Sequence, residues 1–153
     1  MKKIFQTVID KTKGNCTQAA IASLFELELN DVPNFIEMEN SKWYLEFMAF
    51  FVEQGYNTPT PFNINSHSFS KEEKLRILKH DQGVKGYFYA SVPSQTYKGV
   101  THAVIIDQEM NVVHDPNPNQ LALKLKPEDI LEVDVIKDDW HINTEGEFII
   151  ENR

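Results

Sequence analysis

The chain has 153 residues, a length that favours one domain, spanning 1–153, around one core. Hydrophobic residues make up 41% of it and the formal net charge is −8. That is enough apolar material for a packed globule, and too acidic for a nucleic-acid or membrane-surface binder, since both need clustered Lys and Arg. One cysteine rules out an internal disulfide and points to a reducing, cytoplasmic setting. The opening "MKKIFQTVID" lacks the apolar run of a secretory signal, and no stretch approaches bilayer length.

In chain order, the first expected element is a helix from Cys16 to about Leu27. Asn15 stands at its cap and Gln18 at its third position, a capping-box pattern with Asn in place of Ser or Thr. Ala19, Ala20, Ala22 and Ser23 are small, so this helix can approach its neighbours closely. "NDVPNF" reads as a turn, with Pro33 as the stop. A second helix is expected from a Ser41 cap to near Gly55, with Trp43, Phe47, Phe50 and Phe51 as a core-facing stripe. Residues 56 to 69 carry two prolines and many turn formers and read as an irregular surface segment. Ser70 and Glu73 then form an S-x-x-E capping box for a short helix through about Lys79.

From Lys85 the pattern changes. "KGYFYASV", "THAVIID", "NVVHD", "ILEVDVI" and "EFIIEN" are short and rich in β-branched or aromatic residues, and read as strands of a mostly antiparallel sheet. N-terminal helices followed by C-terminal strands give the α+β class: helices packed on a sheet.

A nucleophilic cysteine needs a partly ionised thiol, a base in reach and a group that orients the base. A helix N-terminus favours an anion, and Cys16 stands at one. Of the five histidines, His67 falls in the irregular segment and His80 at a helix end. His114 lies on a strand with its side chain opposed to that of Asp115, and His141 in a polar loop. His102 opens the strand "HAVIID", and the return strand "NVVHDP" ends at Asp115. A two-residue turn at Gln108 and Glu109 would set His102 and Asp115 directly opposite on one face; a slip of one residue would separate them. The expected roles are Cys16 as nucleophile, His102 as base and then acid, and Asp115 as the orienting carboxylate. The Cys16 N–H, with Gln6 or Asn15 as a side-chain donor, would stabilise a developing oxyanion. Trp43, Tyr44 and Trp140 are candidates to line the cleft. The His and Cys residues lack a compact metal-ligand spacing, and no Gly-rich phosphate loop is present, so neither metal nor cofactor is expected.

"GNCTQAAIASL" followed by "HAVIID" and "VVHDP" resembles the papain-like cysteine peptidase superfamily, above all its small bacteriocin-leader-peptidase-like (C39-like) branch. "NCTQAAIASLFELELNDVPNF" with "HAVI" and "HDPNPN" is also similar to small papain-like proteins of bacteriophages and bacteria. The resemblance implies a nucleophile at the start of the central helix (Cys16), a base on a sheet strand (His102) and an acid at the end of the adjacent strand (Asp115). It implies a peptide, protein or other amide substrate. Where the family carries its oxyanion glutamine, about six residues before the cysteine, this chain has Asp10. Gln6 lies further upstream, and "DKTKG" must bulge to bring it in. Asp10 at the oxyanion position motivates an alternative: a catalytically degenerate binding module that sequesters a host protein or small molecule.

Overall fold

The computed structural model describes residues 1–66 and 68–151; His67 lies outside the described residues. Among the described residues three α-helices form: α1 (Cys16–Leu24), α2 (Asn40–Glu53) and α3 (Lys71–Asp81). Five strands build one antiparallel sheet: β1 (Thr60–Phe62), β2 (Phe88–Pro93), β3 (Thr101–Ile106), β4 (Val112–His114) and β5 (Glu132–Val135), in the order β1-β5-β2-β3-β4. β6 (Trp140–Ile142) and β7 (Phe148–Ile150) pair as a separate hairpin. The fold is α+β. The segment expected as a strand at "EFIIEN" does form one, but outside the main sheet.

Period-2 alternation sorts the sheet's side chains. Ala103 and Ile105 join the cluster of Ile21, Leu24, Phe35, Phe47 and Phe51, against α1 and α2. Val104 and Ile106 join Phe88, Ala90, Val92, Val133 and Leu78, on the α3 side. The sheet is therefore covered on both faces, which is why its central strands read as near-continuous apolar runs.

α1 sits close to β3 and β2 because Ala19, Ala20 and Ala22 are fully buried and place nothing larger than a methyl at the contact. The helix stops at Leu24, earlier than its apolar run suggests. Glu26 adopts a left-handed φ of 59°. The Leu27 N–H donates to Ala22 O at 2.8 Å and the Glu26 N–H to Ser23 O at 3.3 Å, so a Schellman motif closes the end. α2 begins one residue before Ser41, which therefore lies in the first turn and not at the cap. α3 is capped as expected: Ser70 Oγ accepts from the Glu73 N–H at 3.1 Å.

The aromatic stripe is largely core, since Phe47 and Phe51 are buried and Trp43 and Tyr44 half-buried. Two strands fall where none was expected. β1 is a three-residue edge strand carrying Pro61, tolerated because an edge strand leaves one side without a ladder partner. β6 includes His141, placed by sequence in a loop.

Candidate functional site

The β3–β4 hairpin decides whether His102 and Asp115 meet. The expected two-residue turn does not form. Asp107 N–H donates to Asn111 O at 3.0 Å across a three-residue loop, and Met110 takes a left-handed φ of 65°. Asp107 Oδ1 accepts from the N–H groups of Glu109 and Asn111, both at 2.9 Å, and steadies the loop. The longer loop alone would put Asp115 on the wrong face. A bulge corrects this: Ile106 pairs with Val112 but Ile105 with His114, leaving Val113 unopposed. Two one-residue shifts restore the parity. Asp115 and His102 are diagonal instead of opposed, still on one face, and His102 Nε2 lies 2.6 Å from Asp115 Oδ1.

Asp115 is held as firmly as it holds. Its Oδ1 also accepts from the Asn117 N–H, and its Oδ2 from the Ala122 N–H, each at 2.9 Å. Gln120 Nε2 donates to its carbonyl at 2.7 Å. Burial opposes the charged form of Asp115, but the His102 ring and these N–H groups outweigh it and lower its pKa. Pro116 ends the strand, and the turn beyond it is built from Asn side chains: the Asn119 N–H donates to Asn117 Oδ1 at 3.0 Å.

Cys16 opens α1 and is half-buried. It shares with His102, Asp115 and Gln6 a cleft of about 200 Å³. The cleft's walls are the 9–14 loop on one side and the β2–β3 loop, with Ser94, Thr96 and Tyr97, on the other. Burial raises the thiol's pKa, but a hydrogen bond from His102, its charge, the Ala103 N–H and the Thr17 hydroxyl together bring it below that of an ordinary cysteine. Burial likewise pulls His102 down, but Asp115 and Cys16 overcome it and push the imidazole up to about 9. With Nε2 committed to Asp115, Nδ1 is the nitrogen left for the sulfur. Both directions favour the ion pair of thiolate and imidazolium over the neutral pair. Thr17 anchors the helix start: its hydroxyl lies 3.0 Å from that of Tyr89 on β2.

Asn15 behaves differently from expectation. Its side chain makes no cap hydrogen bond. Oδ1 instead accepts from the N–H groups of Thr7 at 3.0 Å and Val8 at 2.9 Å, and Nδ2 donates to Thr7 Oγ1 at 3.1 Å and Gln18 Oε1 at 3.2 Å. The capping box is therefore absent, and Asn15 has no amide hydrogen to spare for an oxyanion. Its work is to bind the irregular segment preceding α1. The first N–H groups of α1 are left without a side-chain cap, free to face a negative charge.

Gln6 does reach the cleft. Asp10 Oδ1 accepts from the Thr12 and Lys13 N–H groups, both at 2.9 Å, and folds the loop back. Asn15 N–H donates to Val8 O at 3.2 Å and closes it. Gln6 Nε2 donates to the same Val8 carbonyl at 2.9 Å with one of its two hydrogens, and Oε1 is buried without a partner.

The other described histidines do not line the cleft. His80 pairs with Asp139 and His141 with Glu151, while His114 is buried against Ile4. Trp43, Tyr44 and Trp140 do not line it; the aromatic residues there are Tyr89 and Tyr97. Trp140 donates its Nε1–H to Asp81 instead, at 3.1 Å. Sequence reasoning missed the Asn117 and Ala122 N–H groups that grip Asp115, although the Asx-rich "DPNPN" signalled a turn. Among the described residues no group of three His, Cys, Asp or Glu side chains has the arrangement to hold a metal ion. No helix there is long and apolar enough to cross a membrane.

No family model matches the chain, and neither a curated protein nor a solved structure shows significant similarity to it.

Proposed function

We propose that the chain is a papain-like cysteine hydrolase that cleaves a peptide or other amide bond through Cys16, His102 and Asp115. The observation that carries this reading is the 2.6 Å contact between His102 Nε2 and Asp115 Oδ1, in a cleft shared with the helix-opening Cys16. Three residues far apart in sequence are gathered there in the order that acyl transfer needs.

The thiolate adds to the carbonyl carbon, and the carbonyl π pair moves to oxygen. The Cys16 N–H and the second Nε2 hydrogen of Gln6 are the donors for that oxyanion. The His102 imidazolium protonates the leaving nitrogen as the C–N bond breaks, which leaves a thioester. Neutral His102 then takes a proton from water, whose oxygen displaces sulfur and releases the acid. Asp115 holds the ring throughout and stabilises its protonated form. The arrival of Gln6 in the cleft also weakens the ground for a catalytically degenerate binding module.

Acylation by p-nitrophenyl acetate separates these readings. The hydrolase reading predicts a nitrophenol burst of about one equivalent per chain followed by steady turnover, with the burst lost in Cys16→Ala. A burst without turnover would favour the binding module, and no burst would defeat the proposal.

A further inference from the structure

His114 takes no part in the chemistry above, yet it is fully buried beside the triad acid. Its Nε2 lies 2.6 Å from the carbonyl oxygen of Ile4. A carbonyl can only accept, so Nε2 carries the hydrogen. Nδ1 is buried without a partner. The ring meets Phe5 edge-to-face, with centroids 5.2 Å apart. Two residues further on, the Pro116 carbonyl accepts the Gln6 N–H at 2.9 Å. On the helix side, the Ile4 N–H donates to Ser23 Oγ at 2.9 Å.

Three consecutive residues therefore divide the work. Asp115 faces the cleft and holds His102, while His114 and Pro116 grip residues 4 and 6 on either side of Phe5. The segment they grip ends in the oxyanion glutamine. A buried imidazole is a costly way to fill space, since its unpaired nitrogen loses water and gains nothing. A leucine would fill the same volume without that cost, but it could not bond Ile4.

We propose that His114 is a positioning residue, which seats the Ile4–Gln6 segment on the strand end carrying Asp115 and so fixes the Gln6 amide relative to Cys16 and His102. The inference rests on the hydrolase reading and adds a requirement to it. Attack by Cys16 and stabilisation of the resulting oxyanion become separable, because His114 serves only the second.

Two probes read these steps independently. Iodoacetamide needs only the thiolate: sulfur displaces iodide from carbon. Acetyl-Phe-glycinal needs the oxyanion site as well: sulfur adds to the aldehyde carbon, and the oxygen takes the His102 proton to give a hemithioacetal. In His114→Leu and His114→Phe, the alkylation rate and its pH midpoint should stay within about twofold of wild type, while aldehyde affinity falls by about tenfold or more. His114→Gln, whose Nε2–H can reach the Ile4 carbonyl, should recover most of that affinity. Unchanged aldehyde affinity in a folded Leu or Phe variant would overturn the proposal, as would equal losses with both probes or failure of Gln to rescue. A wild-type protein that alkylates at an ordinary rate and forms no aldehyde adduct would instead defeat the hydrolase reading, a distinguishable result.

Discussion

Burial works against a charged sulfur at Cys16, and His102 works for it. The balance depends on Asp115, which together with Cys16 itself keeps the ring protonated to about 9. The proposed hydrolase mechanism therefore predicts a bell-shaped pH profile. Its acid limb reports protonation of the thiolate and its alkaline limb the loss of the His102 proton near pH 9. Asp115→Asn removes the charge but not the contact, so the alkaline limb should move to lower pH and the rate fall by about tenfold or more. An alkaline limb that stays in place would show that Asp115 does not tune the ring.

The same groups govern stability. His102 titrates higher folded than unfolded, so its contribution is complete below about pH 6.5, its unfolded value. That contribution disappears as pH rises through about 9. Asp115 titrates lower folded than unfolded; its contribution holds above the unfolded value and is lost as pH falls through the lowered one. Denaturant midpoints measured across this range should fall on both sides for wild type, and lose the alkaline decline in His102→Ala.

At the scale of elements, loops carry as much of the site as strands do. The β3–β4 hairpin shows why its face was legible and its register was not. Alternating apolar residues reveal which side chains share a face. No Gly marks the turn, and neither the three-residue loop nor the Val113 bulge leaves a sequence signal. The two errors cancelled, since each shifts the pairing by one. Asn15 is the opposite case: its position before a helix suggested a cap, and tertiary contacts with residues 7 and 8 won. β1 escaped notice because a proline in a three-residue edge strand looks like a turn.

Gly14 gives the 9–14 loop a direct test. A Cβ there would stand 2.9 Å from the Asp10 carbonyl oxygen, which is backbone and cannot swing aside. Gly14→Ala should displace the loop, cost about 1–3 kcal/mol of stability and slow acylation. A variant as stable and active as wild type would mean that the loop is not the wall described.

Across the whole molecule, both faces of the sheet are packed, and a single buried carboxylate ties the α3 side together. Asp81, at the end of α3, accepts from the N–H groups of Ile136 and Lys137 beyond β5 and from the Trp140 indole on β6. The Gly83 N–H adds a fourth donor at 3.3 Å. Asp81→Ala leaves these donors buried and unpaired, so a loss of about 3 kcal/mol and a melting temperature lower by roughly 6–12 °C is expected. A shift within the scatter of surface substitutions would show that water replaces the carboxylate without cost. The class of the fold was readable from helices followed by strands. That α3 crosses to the other face was not, because chain order is silent about which face an element covers.

The central claim is that the fold turns the one thiol of the chain into a thiolate held by His102. Ultraviolet titration of thiolate absorbance, as the difference between wild type and Cys16→Ser, measures this directly. The midpoint should lie below about 8.5, the ordinary thiol value, and rise in His102→Ala. A midpoint at or above that value, indifferent to His102, would contradict the account.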